Sequence, residues 1–204
     1  MCKAMKKHIS EETRVAILDA AWKLIAEGGR VDASQSEIAA RAGVSRQTVY
    51  LAFGGRAGLL VAMLRNKDAH SRQVTTLHEI ANGTGDKWED FLSFVEAWLD
   101  YLPLIYPVGI QVDAAALNDE EAAAAWNDRM KRALLHGMKH ILARLQRVGR
   151  IAPGWTVDMA AETAWSLVHP ASWRLLVVEC GWSADQFRRT RIEIIRRTLA
   201  SDPE

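Results

Sequence analysis

The sequence predicts an all-α fold of about nine helices. Apolar residues recur at spacings of three and four along most of the 204 residues, and no segment shows the alternation typical of a strand. Glycines, prolines and helix-capping serines separate these stretches. Because 49% of the residues are hydrophobic, the chain can bury a core, and wholesale disorder is not expected.

The first three predicted helices are short and have clear start and stop signals. The first begins after Ser10, a plausible N-cap, and ends at Gly28. The second begins at Ser34, the first residue of a Ser-x-x-Glu capping box, and stops at Gly43. The third runs from Ser45 to about residue 53, before a Gly-Gly pair.

The later helices are predicted to be longer, over about 56–79, 86–101, 118–148, 157–179 and 184–200. Pro103 and Pro107 are expected to bracket a short irregular segment. Pro170 is expected to kink its helix, because proline lacks a backbone N–H and clashes with the preceding turn.

Charge and composition limit the class of protein. Residues 1–72 carry 12 Lys and Arg against 7 Asp and Glu, and the remainder is net acidic, which indicates an anionic partner for the first third. No apolar run is long enough for a membrane span, and the lysines at positions 3, 6 and 7 precede no secretory apolar core. Cys2 and Cys180 are too few for a disulfide framework, so we expect a cytoplasmic protein.

Residues 38–50 have the spacing of a helix-turn-helix. Ala39 is small where the two helices cross, and Gly43 can adopt the positive φ of the turn. Val44 and Val49 are expected to face the shared core. The second helix would then enter the major groove of DNA, with five side chains toward solvent: Arg46, Gln47, Thr48, Tyr50 and Leu51. The alternative interpretation of this spacing is that two short helices joined by Ala-Gly-Val have no role in DNA binding.

Four motifs in this part of the chain resemble those of the TetR-type transcriptional regulators. They are Arg14-x-x-Ile17-x-x-Ala20-Ala21, Ile38-Ala39-x-x-Ala42-Gly43-Val44-Ser45, Thr48-Val49-Tyr50-x-x-Phe53 and Arg56-x-x-Leu59-Leu60. The resemblance covers about residues 13–64, and beyond it only the lengths and order of the helices agree. It implies a three-helix DNA-binding head over 8–62 and a helical ligand-binding and dimerisation domain over 63–204.

The resemblance also implies DNA contacts for seven residues of the head. Five would contact phosphates, from side chains or helix starts: Ser34, Ser45, Thr48, Tyr50 and Arg56. Arg46 and Gln47 are the candidates for base edges, since arginine suits guanine and glutamine suits adenine. Gln35 and Gln47 depart from the family, where an aliphatic residue and a glycine are usual.

Seven of the eight tryptophans lie in the last two thirds of the chain. Relatives bind a small molecule and dimerise through this region, which suggests an aromatic pocket for a small hydrophobic or aromatic effector. The pocket candidates are Phe94, Trp98, Tyr106, Gln111, Trp126, Met130, Trp165 and His169. Gln111 and His169 would orient the ligand. Packing of the tryptophans in the core or at a dimer interface is the alternative.

The last two predicted helices are rich in apolar residues, and the family pairs this region in a homodimer. A two-fold dimer would set two recognition helices about 34 Å apart, or somewhat more, on a palindromic operator. Completion of the monomer core is the alternative. Five arginines are expected on the solvated face of the final helix: Arg188, Arg189, Arg191, Arg196 and Arg197.

Other chemistry is weakly represented. His136 and His140 have the i, i+4 spacing of a metal-binding pair, but the zinc-protease carboxylate is missing, and neither a metal nor a cofactor is expected. Cys180 is expected to be a buried small hydrophobe rather than a redox sensor. Because the sequence contains no nucleotide loop, nucleophile elbow or paired-carboxylate motif, we do not expect an enzyme.

The sequence therefore predicts a ligand-responsive repressor. The apo dimer would hold its operator, and ligand would favour a conformation that no longer fits it, with the helix that begins at Arg56 carrying the change. A DNA binder that acts without a ligand, as a constitutive, activating or architectural protein, is the alternative.

Overall fold

A computed structural model describes residues 9–30 and 33–201. In these two ranges the chain is helical, with no strand and one isolated bridge between Ile151 and Ala200. Counted with their π-helical continuations, the described helices number ten, close to the predicted nine. Cys2 and the predicted non-secretory lysine cluster lie outside the described residues.

The α-helices of the described chain are, from the amino terminus, α1 (Glu11–Trp22), α2 (Gln35–Arg41), α3 (Arg46–Phe53), α4 (Arg56–Ala69), α5 (Arg72–Asn82), α6 (Trp88–Ala115), α7 (Glu120–Asn127), α8 (His136–Arg147), α9 (Val157–Val168), α10 (Pro170–Trp173) and α11 (Ala184–Leu199). Three π-helical segments extend them. These segments continue α1 over Lys23–Glu27, join α7 to α8 over Asp128–Leu135, and continue α10 over Arg174–Glu179.

The chain forms two compact units. Unit 1 contains the described residues up to Lys67 together with Pro107–Ala123, and unit 2 contains Asp68–Tyr106 and the described residues from Ala124 onward. Each unit has a core of fully buried side chains, such as Ile38 in unit 1 and Phe91 in unit 2. The sequence-based domain boundary between residues 62 and 63 stays a prediction.

Serine caps begin the first helices as the sequence predicts. Ser10, Ser34 and Ser45 are extended, and each accepts a hydrogen bond from the backbone N–H three residues later. Gly43 has a φ of 68°, the left-handed conformation that the turn between α2 and α3 requires.

The single helix predicted over 56–79 is wrong, because the chain forms two helices there. α4 ends at Ala69, and α5 begins at Arg72. Ser71 between them is extended, and its Oγ accepts a hydrogen bond from the N–H of Val74 at 3.3 Å. This side chain satisfies one of the donors that a helix start leaves unpaired, so a new helix can begin.

The irregular segment predicted between Pro103 and Pro107 is also wrong. α6 runs unbroken over 28 residues, since Ile105, Val108 and Val112 continue its apolar face and are at most 1% exposed. Their burial outweighs the backbone hydrogen bonds that the prolines remove. Across the described chain, no single helix has the length and apolar composition to cross a membrane; α3 and α4, bent by 68°, pass that test only together.

The kink predicted at Pro170 is a complete break. His169 is extended, with φ −65° and ψ 146°, and separates α9 from α10. Pro170 then occupies the first turn of α10, where its missing N–H leaves no intrahelical bond unmade. His169 Nδ1 accepts a hydrogen bond from the N–H of Ala171 at 3.1 Å.

Two side chains near the carboxy terminus are placed differently from the predictions. Cys180 is exposed rather than buried, because the chain leaves its helix there and turns at Gly181, which has a φ of 73°. Arg191 is only 8% exposed and does not join a solvated face. Its guanidinium lies 4.9 Å from the centre of the Phe187 ring and 5.9 Å from that of Trp182.

Candidate nucleic-acid interface

One face of the third helix, α3, is exposed, and the opposite face is buried. Ser45 Oγ accepts from the N–H of Thr48 at 3.0 Å, and the two hydroxyl oxygens lie 2.9 Å apart. Val49 is fully buried and Phe53 is 7% exposed, whereas Tyr50 is 55% exposed. α3 is therefore fixed by one apolar edge and by its cap, with the remaining face directed to solvent.

The two base-edge candidates lie in the first turn of α3. Arg46 and Gln47 are both exposed, and Thr48 beside them is half-buried. In helix-turn-helix proteins, the N-terminal residues of the recognition helix contact base edges. Val44, predicted to be in the core, is half-buried.

The start of α2 is a closed network rather than a set of free donors. The backbone N–H and the hydroxyl of Ser34 both donate to Glu37 Oε2 at 2.9 Å, and Arg30 donates to Glu37 Oε1 at 2.8 Å. These contacts lower the pKa of Glu37 from 4.5 to about 2. The hydrogen bond from the Ser34 backbone has the largest effect on the pKa, and the bond from the Ser34 hydroxyl has the next largest. A phosphate contact by the Ser34 hydroxyl requires exchange with this carboxylate.

The contacts of Arg56 include hydrogen bonds to two residues of unit 1. Its Nη1 donates to the carbonyl oxygen of Ala33 at 2.6 Å, and its Nη2 donates to Oε1 of Gln111 at 2.7 Å. Gln111 Nε2 in turn donates to the Pro107 carbonyl at 2.7 Å. Both ends of the Gln111 amide are thus engaged with protein groups.

Arg14 positions the end of the third helix, a role that the sequence did not predict. Its Nη1 donates to the carbonyl oxygen of Ala52 at 2.5 Å, and its guanidinium lies 4.6 Å from the centre of the Phe53 ring. Carbonyls in the last turn of a helix lack intrahelical partners, and a cation satisfies them well. Arg14 is the first residue of the first of the four sequence motifs, and this position was the only indication in the sequence that it has a role.

Residues 17–63 match the sequence model of the family described as bacterial regulatory proteins, tetR family. This segment contains α2, α3 and their turn, with the exposed polar face on α3. This segment of the chain therefore belongs to the TetR family of bacterial regulatory proteins.

Solved structures of transcriptional regulators share the fold over nearly the whole chain. A transcriptional regulator from Saccharomonospora viridis, solved with choline, is 25% identical, with a TM-score of 0.76 and coverage of 94% of this chain and 100% of that one. NalD, the secondary repressor of the MexAB-OprM multidrug efflux pump in Pseudomonas aeruginosa, is 22% identical, with a TM-score of 0.67 and coverage of 95% and 98%.

A third structure is that of SmeT from Stenotrophomonas maltophilia, solved with triclosan. It is 20% identical, with a TM-score of 0.69 and coverage of 94% of this chain and 93% of that one. At their levels of identity, NalD and SmeT show the fold alone. None of the curated protein sequences matches this regulator.

Four of the eight predicted pocket residues lie together in unit 2, three through ring contacts and Trp98 through a backbone carbonyl. The ring centre of His169 lies 4.9 Å from that of Trp165 and 6.3 Å from that of Trp126. Trp98 Nε1 donates to the carbonyl oxygen of Val168 at 2.9 Å. We call Trp98, Trp126, Trp165 and His169 the aromatic cluster.

The other pocket candidates are dispersed. Phe94 and Met130 are each 2% exposed, and the Phe94 ring lies close enough to Gly137 that a Cβ there would be 2.8 Å from it. Tyr106 contacts Trp173, with ring centres 6.2 Å apart. Gln111 belongs to unit 1, with the Arg56 contact described above. A ligand-lining role for these residues stays a prediction.

A polar network that the sequence did not predict lies beside the aromatic cluster. Tyr101 donates to Asp68 Oδ1 at 2.7 Å, and Arg129 pairs with Asp68 Oδ2. Burial, followed by the charge of Asp68, raises the pKa of Tyr101 well above its usual range. The three residues come from α4, α6 and a π-helical segment, so no local pattern connects them. We call them the Asp68 network.

The apolar residues of the last two helices divide between core and surface. Ile195 and Leu199 are fully buried and complete the core, as one alternative proposed. Leu175, Val178 and Ile194 are 47%, 58% and 36% exposed. These three aliphatic side chains are accessible to a partner surface.

The two histidines with metal-binding spacing lie together on the surface of α8. The ring centres of His136 and His140 are 4.3 Å apart, and both side chains are exposed. Over the described ranges, no group of three or more His, Cys, Asp or Glu side chains is arranged to hold a metal ion.

Proposed function

We propose that this regulator is a homodimeric cytoplasmic repressor that a small hydrophobic or aromatic effector releases from a palindromic operator. The observation that carries the proposal is the exposed first turn of α3, with Arg46 and Gln47 on a capped and anchored recognition helix. The DNA-binding domain would span 8–62, and the effector and dimerisation domain 63–204.

The DNA contacts divide by chemistry. Arg46 and Gln47 read base edges, because their side chains form bidentate bonds with guanine and adenine in the major groove. Thr48 and Tyr50 flank them and contact phosphates, which set the register without carrying sequence information. Ser34 and Ser45 present helix starts to the backbone, and Arg56 adds a positive charge behind them.

Dimerisation uses the carboxy-terminal helices. Leu175, Val178 and Ile194 supply apolar surface that a second copy would remove from water. A two-fold interface would present the same patch on both chains and would place two recognition helices on an inverted repeat.

The effector binds in unit 2, against the aromatic cluster. Triclosan in SmeT and choline in the Saccharomonospora viridis protein support a small-molecule effector for this fold. The ligand acts by preferring the conformation that does not hold DNA, with a coupling of about 1–3 kcal/mol. α4 carries the change, since it begins at Arg56 and its last turn contains Asp68.

The test begins with selection of a DNA duplex from a random library, followed by fluorescence anisotropy with the purified protein. We expect an inverted repeat, two chains for each duplex, and loss of affinity with Arg46→Ala. Arg189→Ala, on exposed surface of α11, is the matched control and should bind as the unmodified protein does. An equal loss of DNA affinity with both substitutions would mean that Arg46 contributes only nonspecific charge, and the proposed interface would be wrong.

A further inference from the structure

Asp68 and Arg129 form an ion pair that is largely removed from solvent. The side chain of Arg129 is 11% exposed and that of Asp68 is 28% exposed. A guanidinium at this depth requires an acidic partner, because its desolvation is costly when it is unpaired. Asp68 supplies that partner from the last turn of α4. Of the two charges, the carboxylate is therefore the one nearer to water.

Two buried donors of unit 2, one of them in this pair, have no hydrogen-bond partner among the described residues. They are Nε of Arg129 and Nε1 of Trp165. Buried donors are almost always paired in folded proteins, so each of these is a place where an acceptor would be stabilised. Arg129 contacts the ring of Trp98, and Trp98 is bonded to the residue that precedes His169, which in turn contacts Trp165. Contacts through Trp98, Val168 and His169 thus lead from one donor to the other along the aromatic cluster.

A cation, the guanidinium of Arg129, already lies beside Trp98 of the aromatic cluster. The guanidinium carbon of Arg129 lies 5.8 Å from the ring centre of Trp98 and 5.6 Å from that of Tyr101. These are cation–π distances, so the protein's own arginine occupies the position in which aromatic faces would attract a charged amine. A cationic ligand there would meet Arg129, whereas an anionic one would be attracted to it.

We propose that the effector is an anion on an apolar or aromatic body, in the simplest case a carboxylate, which replaces Asp68 as the partner of Arg129. This inference rests on the proposed function, since it names the chemical class of that effector. The apolar body contacts the aromatic cluster from the side of Trp165 and His169, which are half-buried. The anionic head accepts from the guanidinium, as an Arg–carboxylate pair does.

The exchange connects binding to α4. Tyr101 keeps its proton, because burial and the neighbouring carboxylate raise its pKa, so its hydroxyl is a donor that holds Asp68 in the ion pair. Asp68 loses its arginine partner and can turn toward solvent, where it is already partly exposed. The last turn of α4 then loses the ion pair that fixes it.

The test compares molecules that share a body and differ in head group. Octanoate, octanol and octylammonium form one series, and 2-naphthoate, 2-naphthylmethanol and 2-naphthylmethylammonium form the other. Titration calorimetry with the full chain should show at least one carboxylate binding about tenfold tighter than its alcohol and ammonium partners, the order expected for a charge-assisted hydrogen bond. The proposal is overturned if neither carboxylate binds. It is also overturned if, in both series, the alcohol or the ammonium binds as tightly as the carboxylate or more tightly.

Three substitutions separate exchange from a purely structural ion pair. Asp68→Asn removes the competing charge, so carboxylate affinity should rise about tenfold, whereas Arg129→Met should reduce it to that of the alcohol. Tyr101→Phe, which removes a bond to Asp68 with little change in volume, should also raise affinity and serves if Asp68→Asn does not fold. Asp158→Asn, from the exposed pair with Lys139, is the control and should leave affinity unchanged. If Asp68→Asn and Tyr101→Phe both weaken carboxylate binding, exchange is wrong.

The calorimetric test needs no DNA, so the two proposals can fail separately. Carboxylate binding that leaves DNA affinity unchanged would support the anion site and contradict effector-driven release. DNA release by the ammonium or alcohol series, without preferred carboxylate binding, would support release and overturn the anion site.

Discussion

Arg56 donates from Nη2 to Oε1 of Gln111 at 2.7 Å, so a residue expected to contact DNA is bonded to one expected to contact ligand. Both belong to unit 1. The second bond of Arg56, to the Ala33 carbonyl, fixes the residue directly before the cap of α2. Arg56 therefore positions the start of the helix-turn-helix, and this role does not depend on the proposed contact between Arg56 and a phosphate.

Replacement of Gln111 by leucine should weaken the head without touching DNA. The substitution leaves one Arg56 donor without its acceptor, and we expect a loss of about 1 kcal/mol in the free energy of unfolding, measured by urea denaturation. Arg56→Met removes this bond and the bond to the Ala33 carbonyl, and it should cost about 2 kcal/mol or more. Unchanged stability in Gln111→Leu would mean that the bond contributes nothing to the head.

The capping box of α2 should make stability depend on acid pH. The folded pKa of Glu37 is depressed from 4.5 to about 2, so its contribution is fully present above pH 4.5 and is lost as the pH falls through about 2. Thermal unfolding of the unmodified chain between pH 5 and 2 should therefore show a decline that Glu37→Gln reduces. Parallel curves for the two proteins would contradict the assignment.

Gly58 is required by the turn between α3 and α4. A Cβ at this position would lie 2.0 Å from the carbonyl oxygen of Phe53, which is backbone and cannot move independently. Gly58→Ala should destabilise the protein by about 2 kcal/mol or more, although alanine normally favours a helix. Ala57→Gly, the matched control in the same helix, should cost only about 1 kcal/mol. A neutral or stabilising effect of Gly58→Ala in denaturation would be incompatible with this packing.

Gln35 is a stability defect of the head. Within the described chain, its buried Nε2 has no hydrogen-bond partner, and TetR-type relatives usually carry an aliphatic side chain there. Gln35→Leu should raise the free energy of unfolding by about 1 kcal/mol, since an unpaired buried amide group is removed. The control Gln47→Leu, at an exposed position, should change stability by less than about 0.5 kcal/mol. Destabilisation by Gln35→Leu would indicate that the amide is paired in solution.

Local signals in the sequence were sufficient for the head. Each predicted start there depended on a serine and the N–H three residues later, and Gly43 adopted the positive φ that its turn requires. Such features involve neighbours in sequence, so pattern and structure agree. The motif residue Arg14 was visible, but its bond to Ala52 depends on tertiary packing.

The errors arose where packing overrides local preference. Pro103 and Pro107 favour a break, yet burial of the apolar face continues α6 past both. Ser71, by contrast, starts a helix inside an apolar pattern that appeared continuous. The Asp68 network joins three helical segments distant in sequence, and no spacing rule relates such residues.

The most direct test of the proposed function is the base preference of Gln47→Ala, measured by anisotropy on every single-base-pair variant of the selected operator. We expect discrimination to fall by about 1–3 kcal/mol at one position in each half-site and to persist elsewhere. Thr48→Ala, which removes a phosphate contact, should weaken all variants alike. If Gln47→Ala retains full discrimination at every position, or weakens all sequences equally, α3 does not read DNA through this residue and the proposed interface is wrong.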